Sequence, residues 1–293
     1  MNWNQIVEAI TAAGGQPFNL QRIDSIGGGC INSAYRLIGA RQSYFVKLNR
    51  AERLDMFEAE AEGLRALAEA QAIKVPLPVC SGIEANQAYL VMEYFESGGG
   101  NSGAAEIFGQ QLARLHRHTS EQFGWHRDNT IGSTPQPNTP TNDWLVFWRQ
   151  QRLGFQLALA DQRGAPGSLL RKGDALLQLM EGLFTNHEPE PSLLHGDLWS
   201  GNYAVTREGD PIIFDPAVYY GDREADLAMT ELFGGFSPRF YAAYNEVWPL
   251  ENGYQVRKTF YNLYHILNHF NMFGGGYAGQ AERMIAQLLS ELC

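Results

Sequence analysis

Between positions 195 and 215 the chain carries polar residues whose types and spacing suit one kind of chemistry: His195, Asp197, Asn202 and Asp215. Asp197 can accept a proton from a hydroxyl group. Asn202 offers an amide oxygen a few residues later, and Asp215 adds a second carboxylate behind the apolar run at 212–214. Oxygen ligands of this kind suit Mg²⁺, a hard cation. A hydroxyl held beside a metal and a base is what phosphoryl transfer requires, because its catalysis is mostly positioning plus charge stabilisation.

Such a site needs elements to carry it. Residues 3–13 have helical spacing and stop at Gly14-Gly15. Residues 18–26 and 33–38 read as strands around Gly27-Gly28-Gly29-Cys30-Ile31-Asn32, which makes the glycines a hairpin tip. Gly27, Gly28 and Gly29 would let the backbone approach a ligand and aim N–H groups at phosphates; an ordinary turn is the alternative. The next strand, 43–48, carries Lys47 in apolar company. That lysine is an edge residue with its head in water or a phosphate ligand, and its place after the glycine hairpin favours the ligand. Residues 55–72 form an amphipathic helix in which Glu60, four residues before Leu64, is the choice to face inward and pair with Lys47; Glu58 is the rival.

Two further strands, 79–83 and 88–91, run into Glu93, Tyr94 and Phe95, where side chains and backbone would meet adenine. The Gly/Ser-rich run 97–103 is linker composition. We therefore place a nucleotide-binding lobe at 1–96, a hinge at 97–103 and a catalytic and substrate lobe at 104–293. The second lobe is mainly helical (105–116, 143–159, 169–184 and aromatic helices to 289), with a long loop at 123–140. Strands with one helix first and helices later predict an α+β fold in two lobes. His116 and His118 are expected as cations at a helix C-terminus rather than a metal pair. Asp222 and Glu224 are expected at a solvated helix start, the alternative being attraction of a cationic substrate. His265, Asn268 and His269 share one helical face, as a polar patch or a substrate wall.

The chain has 293 residues and a net charge of −10, a poor basis for binding nucleic acid or an anionic membrane. Three cysteines, Cys30, Cys80 and Cys293, make no disulfide framework and suggest a reducing compartment. No signal-peptide pattern and no long apolar run is present, so the expected location is the cytoplasm.

The glycine hairpin, strand lysine, helix glutamate, His-x-Asp-x₄-Asn and Phe-Asp follow one another in the order protein kinases use, with Gly196 where kinases carry Arg. His-Gly-Asp with a downstream Asp resembles the aminoglycoside phosphotransferase and choline kinase superfamily. Gly-Gly-Gly-Cys-Ile-Asn (27–32), Phe-Val-Lys-Leu-Asn (45–49), His-Gly-Asp-Leu-Trp-Ser-Gly-Asn (195–202), the run 214–229 and Leu-Phe-Gly-Gly-Phe (232–236) are similar to the fructosamine kinase, or ketosamine 3-kinase, family. The resemblance implies a protein-kinase-like fold with an antiparallel sheet plus helix in the N-terminal lobe. It implies ATP-dependent phosphorylation of the 3-hydroxyl of a ketosamine, which destabilises the adduct and releases the amine. Ribulosamine and erythrulosamine would stand ahead of fructosamine. The ketosamine would be a small molecule or protein-bound, and the enzyme a monomer or dimer.

On this resemblance Asp197 is the catalytic base, Asn202 and Asp215 bind Mg²⁺, and Lys47, held by Glu60, contacts the ATP phosphates under Gly27, Gly28 and Gly29. His195 braces the loop or touches substrate, and Asp226 braces the same loop. Trp199 stacks on substrate or packs in the core. Cys30, in the phosphate loop, is a candidate redox switch or a filler. Family members usually carry Gly at the position of Ser200 and often His at that of Asp222, departures that bear on the substrate rim. The rivals are a choline- or aminoglycoside-type kinase and an ATP-binding scaffold without catalysis.

Overall fold

A computed structural model describes residues 2–27, 31–99 and 103–292. Helix α1 (Trp3–Gly14) starts at Asn2, whose side chain accepts the Asn4 N–H, and stops where Gly15 turns left-handed at φ 64°. Strands β1 (Leu20–Ile26), β2 (Ser33–Gly39) and β3 (Ser43–Arg50) follow, then α2 (Leu54–Glu69), β4 (Pro78–Glu84) and β5 (Gln87–Glu93). The five strands form one antiparallel sheet in the order β1-β2-β3-β5-β4.

Strand periodicity explains how this sheet is covered. Along β5, Val91 packs with Ile6 and Ile10 of α1, while Leu90 and Met92 join Phe57, Leu64 and Leu67 of α2. The α2 cluster runs on into Leu193, Leu198, Ile213 and Val218, so one apolar body joins the sheet's helix to the stretch around His195 and Asp215. Gly63 permits this closeness. A Cβ there would lie 2.9 Å from Val218.

After β5 come α3 (Ala104–His116), the hairpin β6 (Asn129–Ile131) and β7 (Thr134–Gln136), α4 (Trp144–Trp148), α5 (Gly154–Gln162), α6 (Gly167–Leu179) and β8 (Ser192–Leu194). Strands β9 (Tyr203–Val205), β10 (Pro211–Ile213) and β11 (Tyr219–Gly221) precede α7 (Glu224–Leu232), α8 (Pro238–Val247), α9 (Tyr254–Phe273) and α10 (Tyr277–Leu292). The fold is α+β and protein-kinase-like, with a sheet first and helices after it. No helix among the described residues is long and apolar enough to cross a membrane.

Several local expectations give way to tertiary packing. The predicted helix 143–159 contains a π-helical segment at Arg149–Leu153, which turns Arg152 inward onto the Tyr219 ring at 4.1 Å. The predicted loop 123–140 contains the β6–β7 hairpin. His116 is no solvated helix-end cation. It is fully buried, with Nδ1 2.8 Å from the Tyr244 hydroxyl and Nε2 3.2 Å from Asp226, and burial holds its imidazole below the ordinary value. The helix start expected at Asp222 and Glu224 falls at Glu224, after residues 219–221 pair with β8.

Asp222 and Glu224 are buried as well, neither solvated nor turned to substrate. Glu224 takes a two-pronged ion pair from Arg257 at 2.7 and 2.9 Å. Asp222 accepts from His187 at 2.6 Å and from the Tyr261 hydroxyl. One ligand atom each of His187, Asp222 and Glu224 lie within 4.8 Å of one another, as in a metal site. Those atoms already have protein partners, so the cluster reads as a buried charge network tying the start of α7 to α9.

Burial alone would lower the His187 imidazolium, but Asp222, Glu224 and Glu251 outweigh it and push it up to about 9. Its folded value thus lies above the unfolded one of about 6.5. The stabilisation is fully present below pH ~6.5 and is lost as pH rises through about 9. We expect His187→Gln to lower Tm strongly at pH 6 and much less at pH 10. Thermal scans of both proteins across that range check this. A pH-independent gap would count against it.

Candidate active site

The stretch from His195 to Ala217 is held by backbone geometry that only certain residues permit. Gly196 sits at φ 83°, and a Cβ there would come within 2.1 Å of the Ala217 carbonyl. Ala217 in turn donates its N–H to the His195 carbonyl at 2.8 Å. Asp226, from the first turns of α7, accepts the N–H groups of His195 (2.7 Å) and Gly196 (2.8 Å). A buried carboxylate bonded to backbone donors fixes the loop where Asp197 follows.

His195 lies behind the loop, fully buried, and makes no part of the cleft wall. Its Nδ1 accepts the Asp197 N–H at 3.2 Å and its Nε2 faces the Phe214 carbonyl at 2.9 Å. Those partners assign a neutral imidazole with the proton on Nε2, and burial holds it neutral by lowering its pKa. The substrate contact considered for His195 is therefore replaced by the bracing role. Both ring nitrogens serve the backbone.

Lys47, Glu60, Asp197, Asn202 and Asp215 converge on one cleft of about 870 Å³. Lys47 is only 5% exposed and bonds Glu60 and Asp215 at 2.6 Å each. Burial would lower its ammonium, but Asp215 and Glu60 together hold it above the usual lysine range, so it stays charged. Glu58, the rival partner, is exposed. Asp215 adopts φ 58°, a left-handed backbone rare outside glycine, which stores local strain at a point where the side chain must face Lys47.

Asn202 donates its Nδ2 to the Asp197 carbonyl (2.8 Å), the Asp197 carboxylate (3.2 Å) and the Asp215 carbonyl (3.4 Å). This turns the amide nitrogen to the loop and leaves Oδ1 for another ligand. Burial pushes the Asp197 carboxyl up to about 7, with the neighbouring Asp215 charge adding to the effect and the Asn202 hydrogen bond opposing it. Two carboxylates crowded beside an amide oxygen are a donor set that a hard divalent cation fits, since its charge relieves their repulsion.

Gly27 lines the cleft from the N-terminal side; Gly28, Gly29 and Cys30 lie outside the described residues. Glu93, Tyr94 and Phe95 line it too, and the Phe95 and Phe214 rings, 5.6 Å apart, pack against each other as an apolar part of its wall. Arg36 lies over the Tyr94 ring at 4.0 Å and bonds Glu96, which also takes Arg207. Trp199 is 38% exposed on the cleft wall, so it is not a core residue. Ser200 beside it is exposed but does not line the cleft. His265, Asn268 and His269 are on the wall too.

A clamp on α2 had no sequence signal beyond polar loop residues. Arg127 reaches across from the loop before β6 to Asp55 and to Glu62 (2.6 Å), and His126 also meets Glu62 at 3.0 Å. Asn129 donates to the Val218 carbonyl at 2.8 Å and keeps that loop in place. Asp55 and Glu62 sit on the same helix as Glu60, so the clamp holds the element that carries the Lys47 partner. Half-exposed ion pairs contribute roughly 1 kcal/mol. Arg127→Ala is accordingly expected to lower kcat/KM by about fivefold, with the KM for ATP raised and Arg127→Lys partly restoring it. Steady-state kinetics of the two variants checks this; unchanged kinetics in Arg127→Ala would remove the clamp's role.

Residues 2–291 match the family described as fructosamine kinase. The chain is 51% identical over 292 residues to a protein of Synechocystis named a probable ketoamine kinase, covering 98% of this chain and 97% of that one. It is 45% identical over 281 residues to the chloroplastic protein-ribulosamine 3-kinase of Arabidopsis thaliana, covering 95% and 86%. The crystal structure of a candidate fructosamine-3-kinase from Haemophilus somnus superposes with a TM-score of 0.90 at 30% identity, covering 98% and 97%. A choline kinase from Streptococcus pneumoniae, 15% identical with a TM-score of 0.64 over 99% of both chains, shares the fold.

Proposed function

The chain belongs to the fructosamine kinase family, and on that premise we propose that it transfers a phosphoryl group from ATP to the 3-hydroxyl of ketosamines, ribulosamine and erythrulosamine ahead of fructosamine. The observation that carries this reading is the convergence of Lys47, Asp197, Asn202 and Asp215 in one cleft, with Glu60 on the lysine.

Each residue then has a task. Adenine rests against the apolar wall made by Phe95 and Phe214, and Glu93 and the backbone beside it meet its polar edge. Lys47 places its fixed positive charge against the phosphates, and Gly27 lets the backbone come close over them. Asn202 and Asp215 would hold Mg²⁺, which when bound neutralises charge on the phosphates. Asp197 orients the sugar hydroxyl and takes its proton as the oxygen attacks; a carboxyl with its affinity raised to about 7 suits that task near neutral pH.

Two rival readings are weaker. A polycationic aminoglycoside calls for an acidic substrate wall, whereas Trp199, Phe233, Phe273 and Tyr277 make this one aromatic. A scaffold without catalysis has no use for Lys47, Asp197, Asn202 and Asp215 together. The test is ATP consumption with ribulose-lysine, fructose-lysine, choline and kanamycin. Turnover of ribulose-lysine ahead of the others is the expected result. No turnover of either ketosamine sinks the reading.

A further inference from the structure

One wall of the cleft carries none of the residues assigned above to the nucleotide or the reacting hydroxyl. It consists of Phe233, just beyond α7, His269 and Phe273 on α9, and Tyr277 at the start of α10. Gly274 and Gly275, at φ 67° and 65°, turn the chain between the helices. That turn returns Tyr277 to within 5.2 Å of the His269 ring. Phe233 and Phe273 stand 4.9 and 5.7 Å from the same ring, and Trp199 continues the row toward Asp197, 6.2 Å from Phe233. Phe273 is 58% exposed, a phenyl group left in water at the cleft mouth. Single exposed apolar side chains are ordinary, but rings grouped along one cleft wall mark a contact surface.

The imidazole at the centre has a defined state. Nδ1 of His269 lies 2.8 Å from the His265 carbonyl, which can only accept, so Nδ1 carries the proton and Nε2 keeps a lone pair. Burial keeps His269 neutral, and His265 beside it is pushed down to about 3 by the same cause. Among the described residues lining the cleft, the formally charged ones are Lys47, Glu60, Glu93, Asp197 and Asp215, all in the nucleotide and catalytic part. This wall thus offers a cation ring faces and one nitrogen acceptor, with no competing positive charge.

We propose that Phe233, His269, Phe273 and Tyr277 form the subsite for the amine half of the substrate, with a protonated secondary amine donating to Nε2 of His269 and lying against the rings. The inference rests on the ketosamine reading above. A ketosamine bears its amine two carbons from the 3-hydroxyl, so the amine must lie near the catalytic loop, where Trp199 and Phe233 lead. The wall then decides that the enzyme prefers an amine-bearing ketose to the free sugar.

The experiment compares kcat/KM for ribulose attached to Nα-acetyl-lysine with that for free ribulose, in the full-length protein and in His269→Leu and Phe273→Ala. The unaltered protein should favour the amine-bearing sugar by at least about tenfold. Either substitution should reduce that ratio by roughly tenfold through the KM for the ketosamine, with the KM for ATP as internal reference. Phe273 is too exposed for its loss to endanger folding, so it answers even if His269→Leu does not fold. A ratio unchanged in Phe273→Ala and in folded His269→Leu overturns the subsite while leaving ketosamine kinase activity standing. Failure of the unaltered protein to phosphorylate any ketosamine overturns both.

Discussion

Replacing Asp197 with Asn should lower kcat by about a hundred- to ten-thousand-fold, the usual contribution of a positioned general base. The substitution preserves shape. An Asn oxygen can still accept from Nδ2 of Asn202, which reaches the Asp197 carboxylate at 3.2 Å and its carbonyl at 2.8 Å. The loop keeps its backbone ties as well, because Asp226 and Ala217 hold His195 and Gly196 rather than the Asp197 side chain. What is removed is the carboxylate's charge and, with it, its capacity to accept a proton. ATP affinity should hold or improve, since a carboxylate crowded by Asp215 is gone. Turnover of ribulose-lysine and calorimetric binding of a non-hydrolysable ATP analogue separate the two effects. Catalysis within about threefold of the unaltered enzyme would remove Asp197 from the base role.

The second large effect concerns stability. Arg257→Leu should cost about 3–5 kcal/mol, because it strands the Glu224 carboxylate in a fully buried site with its two-pronged partner gone. For a chain of this size that is on the order of 10 °C in Tm. The loss arises less from the worth of the pair than from leaving one charge uncompensated. Burial already pulls the Glu224 carboxyl upward in the intact protein, with Arg257 opposing it. Pairing Arg257→Leu with Glu224→Met should therefore recover much of the loss, since two apolar groups need no partner. Calorimetry of the single and double variants reads this directly. A single variant that melts with the parent, or a double variant worse than the single, contradicts the argument.

The residues that converge on the cleft were the most legible from sequence, and the physics says why. Lys47 in a strand, Glu60 on an amphipathic helix and Asp215 behind an apolar run are local patterns. Strand and helix periodicities point them to one side before any tertiary contact is known. Element types in the N-terminal lobe followed for the same reason, since α1 and β1 to β5 obey their own spacing. What failed depended on partners far along the chain. Glu224 looks like a solvated acid at a helix start until Arg257, thirty-three positions away, is known to reach it. His116 looks like a helix-end cation until Tyr244 and Asp226 enclose it. Arg127 gave no signal, because its meaning is the gap between a loop and α2 that it bridges. The aromatic wall was half visible. His269 stood out on a polar helical face and Trp199 beside Asp197, but nothing in the spacing places Phe273 and Tyr277 on the same cleft.

The most direct measurement is ³¹P and ¹H NMR of the products formed from ATP, Mg²⁺ and ribulose-lysine. The account predicts a phosphate monoester whose phosphorus couples to the proton on carbon 3 of the sugar, formed by the unaltered protein and nearly absent with Asp197→Asn. A phosphoryl group on another oxygen, or ATP left intact beside the ketosamine, would contradict it.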